Sequence, residues 1–199
     1  LFTRNALRRS GVEAAIESNV RVGAIALTVA GIAFALDLAS PGSALGAWLA
    51  LAAAPLLIAR QLYWQPRYAL GRPILWVLHV GHAWVAVGFA CHAASVLGGM
   101  MPLSAALHAF TSGAMGCMIL GMMTRVSLGH TGRPVEASAL TTVAYVAVIA
   151  AALVRVFGVA FAPAASLFAY QLSGAAFAAG YAIFVLEFTP ILWRARTDA

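Results

Sequence analysis

Four of the five histidines in this 199-residue chain, His79, His82, His92 and His108, stand inside long apolar stretches. Ionisable side chains are expensive in such surroundings, and where they persist they serve metals, protons or ligands by default. Neutral imidazole ligates haem iron, copper and zinc, and its second ring nitrogen needs a partner to orient it. No set of four close-spaced ligands is present and Cys91 and Cys117 form no near pair, which argues against zinc and against a disulfide framework. After His108, the residues Thr111, Ser112, Met115, Met118 and Met122 recur at helical spacing on its face, with Cys117 opposite. Thioethers beside imidazoles favour copper, above all Cu(I). The plainer reading stands beside this one: a buried histidine can be held by one hydrogen bond to a neighbouring helix, and a methionine stripe commonly fills a core.

A second group of polar residues lies in MMTRVSLGHTGRPVEAS, which reads as a glycine-rich loop. Arg125, His130 and Arg133 form a cationic cluster there, and the amides of Thr131 and Gly132 could meet an anion. Arginines of this kind hold carboxylates such as the propionates of a haem. Turn chemistry and topology alone would also explain the composition. Glu187 is close in depth to His79 and could orient that ring, pair with Arg125, or simply reach water. Asp37 and Arg155 read as solvated helix ends, near enough in depth to pair. No nucleophile and base, phosphate loop or carboxylate pair suggests catalysis.

The elements that must position these groups follow from composition. Hydrophobic residues make up 63% of the chain and charged ones 9%, which excludes a water-soluble globule. Six apolar segments, at about 22–39, 44–60, 74–97, 104–124, 137–157 and 166–193, are each long enough to cross a bilayer as a helix. Between them stand Pro and Gly breakers, among them Pro41, Pro66, Pro73, Pro102 and Pro134. The expected class is therefore all-α, a polytopic six-helix membrane bundle forming one domain. Of the twelve basic residues, all arginine, eleven flank one side and Arg155 alone the other. Arg4, Arg8, Arg9, Arg21, Arg60, Arg67, Arg72, Arg125, Arg133, Arg194 and Arg196 thus place both termini in the cytoplasm by the positive-inside rule. Arginines used in this way leave no basic patch for nucleic acid. The lipid bilayer is the partner that composition implies.

On a helix the three histidines of the third segment occupy a sector of roughly 140°. Ala86 and Ala93 share it, leaving volume for a flat cofactor or a neighbouring helix. His92 and His108 come level, each roughly 6 to 8 Å inside its span, and could flank a common ligand; His79 and His82 lie roughly 20 Å lower. The runs Ser112, Gly113, Ala114, Gly116, Gly121 and Gly174 to Gly180 read as close helix seams.

Residues 108–134, HAFTSGAMGCMILGMMTRVSLGHTGRP, closely resemble the signature of the NnrS family, and the segment holding His79, His82 and His92 is similar to that family as well. The resemblance implies a protein of about twelve spans in the bacterial inner (cytoplasmic) membrane, containing haem b and copper and acting in the response to nitric oxide. This chain, opening at Leu1 without a cleavage pattern, would be its C-terminal half, with the N-terminal half as partner and nitric oxide as ligand. His79, His82, His92, His108, Arg125, His130 and Arg133 match motif positions, the four segment histidines and His130 as metal ligands and the arginines beside the cofactor. Two other classes compete. A cytochrome b-like protein exchanging electrons with quinol could use His79 and His92, thirteen residues apart on one helix. A proton-coupled transporter could use the histidines as a relay, although no span is conspicuously broken by Pro.

Overall fold

The computed structural model describes Asn5 and residues 19–197. Among the described residues there is no strand, and six helices are long and apolar enough to cross a membrane. They are α1 (Val20–Ala39), α2 (Ala44–Leu62), α3 (Pro73–Gly98), α4 (Leu103–His130), α5 (Ala139–Phe161) and α6 (Pro163–Trp193). In lipid every backbone amide must find its partner inside the segment, so apolar runs of this length fold as helices. Their ends are set by side chains. Asn19 and Ser138 accept the amides of Val22 and Thr141 at 3.1 and 2.9 Å, capping α1 and α5. Pro73 opens α3, where its missing N–H loses nothing. Gly99 closes α3 in the left-handed region, φ 57°, and the next amide, Met100, reaches back to the Ala94 carbonyl.

Two boundaries differ from the hydropathy reading. α4 continues past residue 124 to His130, because a helix leaving the bilayer can carry Arg125 and Ser127 in its last turns. It stops where Gly132 turns left-handed at φ 72° and Arg133 N–H returns to the Leu128 carbonyl. α5 likewise runs on to Phe161. Pro55 and Pro190 lie inside α2 and α6 without ending them. The interruptions are of another kind: residues Ala109–Met115 of α4 and Val154–Gly158 of α5 are π-helical. Arg4, Arg8 and Arg9 lie outside the described residues.

α3 is the hinge of the packing. One face meets α4, α5 and α6 in a core that includes Leu75, Val77, Trp84, Leu120, Tyr145 and Phe188. The opposite face carries Ala86 and Ala93 against Ala26, Ala30, Ala33, Ala50 and Ala53 of α1 and α2. Small residues let these backbones approach closely, which is the main attraction available where lipid is as apolar as the side chains. The α3–α4 seam works by insertion. A Cβ at Gly88 would fall 2.6 Å from the Phe110 ring and one at Gly121 2.8 Å from Val77, while Gly113 receives Trp84. Gly180 receives Val148 of α5 in the same manner. The glycine and alanine runs are helix seams, except that Gly174 borders a cavity.

Candidate cofactor and ligand site

The three α3 histidines share one face, and that face is packed by protein. His79, His82 and His92 are each buried. His82 has both ring nitrogens engaged: Nδ1 lies 3.0 Å from Gln61 Oε1, and Nε2 3.1 Å from an Arg60 guanidinium nitrogen. Since guanidinium only donates, Nε2 is the acceptor and Nδ1 carries the proton. The Gln61 amide nitrogen donates in turn to the His79 carbonyl at 3.0 Å. The Trp64 ring stands edge-on to His82 at 4.6 Å and beneath the Arg60 guanidinium at 4.6 Å. These contacts tie the end of α2 to α3, and Arg60 and Trp64, which hydropathy reads only as membrane-interface residues, are part of them. Gln61 is the residue that sequence reasoning missed. Its signal was an amide next to an arginine, just past the end of the second apolar segment.

His92 lies apart from this knot. Its Nε2 is buried and without a hydrogen bond, 3.4 Å from Asp37 Oδ1 of α1. The same Asp37 oxygen accepts the Gly42 amide at 3.3 Å, so Asp37 is a loop anchor and a neighbour of His92, not a partner of Arg155. The volume beside Ala86 and Ala93 is taken by α1 and α2, the neighbouring-helix outcome of the two that sequence left open.

His108 is placed differently. Its Nδ1 donates to the Ser104 carbonyl one turn back at 2.6 Å, which fixes the tautomer and leaves Nε2 as a lone pair. The ring borders a cavity of about 340 Å³ between α4, α5 and α6, shared with Thr111, Ser112, Arg155, Ser173 and Phe177. His92 and His108 therefore do not flank a common ligand, because one meets α1 and the other opens toward α5 and α6. The methionine stripe does not follow His108 into the cavity either. Met115 is 55% exposed, and Met118 packs where Gly81 of α3 leaves space. The π-helical residues after His108 explain this: each wider turn delays the following side chains by about one position, or 100°, relative to an α-helix. Cys117 is a buried seam residue near Gly81.

The three cationic residues at the end of α4 differ in their settings. His130 is exposed at the last turn of α4 and Arg125 is half-buried. Arg133 donates to the carbonyls of Thr131 and Ile191 at 3.4 and 3.5 Å. The amides expected to meet an anion are spent on capping, Thr131 N–H on Ser127 and Gly132 N–H on Gly129. Thr197 folds back to donate its hydroxyl to the Gly132 carbonyl at 2.9 Å. Glu187 neither orients His79 nor simply reaches water. Its two oxygens accept from Ser138 Oγ at 2.6 Å and Thr141 Oγ1 at 2.8 Å, pinning α6 to the start of α5, where the helix dipole favours negative charge. Glu187→Ala removes both bonds, and a fall of about 1 to 3 kcal/mol in stability is expected. Thermal unfolding in detergent, read against wild type, checks it.

Among the described residues no three His, Cys, Asp or Glu side chains converge to hold a metal ion. The donor set therefore does not fit copper bound by these residues alone, for Arg155 adds positive charge and the thioethers point elsewhere. Haem iron needs only one imidazole from the protein on a given face. His108, with Nδ1 anchored, no protein partner on Nε2 among the described residues and a cavity beside it, fits that role; His82, with both nitrogens occupied, does not.

Fold and site together define a polytopic helical membrane protein with imidazoles buried between its spans. The family model described as NnrS protein matches residues 1–196, and the chain belongs to the NnrS family. No curated protein and no solved structure matches it.

Proposed function

We propose that this chain is part of a haem-binding integral protein of the bacterial cytoplasmic membrane that acts in the response to nitric oxide, with His108 as the axial ligand. The observation that carries the reading is the disposition of His108: one ring nitrogen is bonded to the Ser104 carbonyl, the other has no protein partner among the described residues, and the residue lines a cavity between three helices. A histidine ligand is usually fixed in this manner by its second nitrogen. Membership of the NnrS family supports the link to nitric oxide. A bound haem supplies an iron whose open position takes a diatomic gas. The chain's own part is to present Nε2, to hold its ring still, and to wall the cavity with Phe177 and Ala151. At about 340 Å³ the cavity is at the small end of ligand sites, so by itself it would hold only part of a haem.

Copper finds its support in the family resemblance and not in a converging donor set. The test is a pyridine haemochrome spectrum with copper analysis on protein purified from cells supplied with both. Haem near one equivalent supports the proposal; protein that is folded and free of haem overturns it.

A further inference from the structure

Among the described residues Arg155 is the one arginine at the end of the bundle away from the others, and it sits six residues inside the end of α5 at Phe161, about 9 Å along the helix axis. A guanidinium at that depth is costly unless it faces water or a counter-charge. Its guanidinium carbon lies over the Tyr170 ring, 4.4 Å from the centroid. A ring face takes up none of the five N–H donors as a conventional hydrogen bond. Among the described residues the guanidinium finds no carboxylate within salt-bridge distance and makes no hydrogen bond. What it borders instead is the cavity.

Ser112, on the same cavity, also has a hydroxyl without a partner among the described residues, whereas Thr111 and Ser173 spend theirs on the Leu107 and Tyr170 carbonyls. Ser112 lies in the π-helical part of α4, and Arg155 in that of α5. Such segments are frequent at functional sites because they turn side chains out of the regular register. An intramembrane cation, a free hydroxyl and a cavity thus come together where both adjoining helices depart from α geometry.

We infer that Arg155 and Ser112 form a receptor for a planar, singly charged oxyanion. The guanidinium edge is a two-pronged donor matched to carboxylate or nitrate, and Ser112 supplies a third donor. The depth disfavours a lipid phosphate at the bilayer surface. Two sources share the required chemistry: a free oxyanion entering from the adjacent aqueous phase, and the carboxylate of a haem. Only the second rests on the haem proposal.

The two are separated by measuring haem-free protein in an uncharged maltoside detergent. Added nitrate or acetate raises the unfolding temperature of wild type if the free anion is the ligand. The apparent affinity weakens about tenfold or more in Arg155→Gln, as expected for charge-assisted bonds. Ser112→Ala, which leaves the arginine in place, weakens it about fivefold and serves should Arg155→Gln fail to fold. In the second arm haem is compared with its dimethyl ester. If the carboxylate is the ligand, wild type prefers haem to the ester, and the preference is lost in Arg155→Gln. Success in either arm supports the receptor. Anion binding without any haem binding would sink the haem proposal and leave this one standing. No response to nitrate or acetate, together with equal binding of haem and its ester, overturns the receptor even where His108 is confirmed as a ligand.

Discussion

If haem is held as proposed, replacing His108 by Ala is expected to lower haem retention by about tenfold or more, while His82→Ala leaves haem content near wild type. Loss of an outer partner of a ligating histidine already costs 10- to 100-fold in metal affinity, and loss of the ligand itself should cost no less. The contrast separates a ligand from a strut. His108 has one nitrogen spent on the Ser104 carbonyl and one left for iron; His82 has neither to spare, being held by Gln61 and Arg60. Pyridine haemochrome spectra of the two purified variants, normalised to protein, make the comparison. Equal haem in wild type and His108→Ala would move the ligand elsewhere, with His92 the next imidazole to test.

The second large effect is on stability. Gln61→Leu removes an acceptor from His82 Nδ1 and a donor from the His79 carbonyl at once, and both groups are buried between α2 and α3. The His79 carbonyl keeps its bond within α3, whereas the buried His82 Nδ1–H is left without a partner, so a loss of about 1 to 3 kcal/mol is expected. Leucine is close to glutamine in size, so cavity formation contributes little and the change reports on the hydrogen bonds. Thermal or denaturant unfolding in detergent measures it. A variant as stable as wild type would show that the knot of Arg60, Gln61, Trp64 and His82 does not hold α2 to α3.

Much of the architecture is legible in residue order. Hydropathy delimits six spans because a bilayer demands long apolar runs and tolerates only helices in them. Helical spacing also sets His79, His82 and His92 on one face, and all three do meet α1, α2 or the connection that follows α2. What fills that face is not readable from α3 alone. Ala86 and Ala93 say that something approaches closely, and only tertiary packing decides that it is another helix and not a cofactor.

The His108 site is legible in part. The ring, the serine and the threonine follow the helical wheel, and then the wheel fails, because no local rule marks Ala109–Met115 as π-helical. Past that point Met115 turns to the surface and Met118 to Gly81, and the copper reading loses its thioethers. Arg155 shows the same limit: its position near a span end suggests a solvated charge, and the second π-helical segment, the Tyr170 ring and the cavity beside it are set by packing that no local rule announces.

The most direct test of the central claim is a nitric oxide titration of reduced, purified protein followed in the Soret region. With a haem held by His108 as proposed, the band would shift and saturate near one equivalent of gas per haem, and His108→Ala would show no such shift. A wild-type protein with no Soret band, or with one indifferent to nitric oxide, contradicts the account.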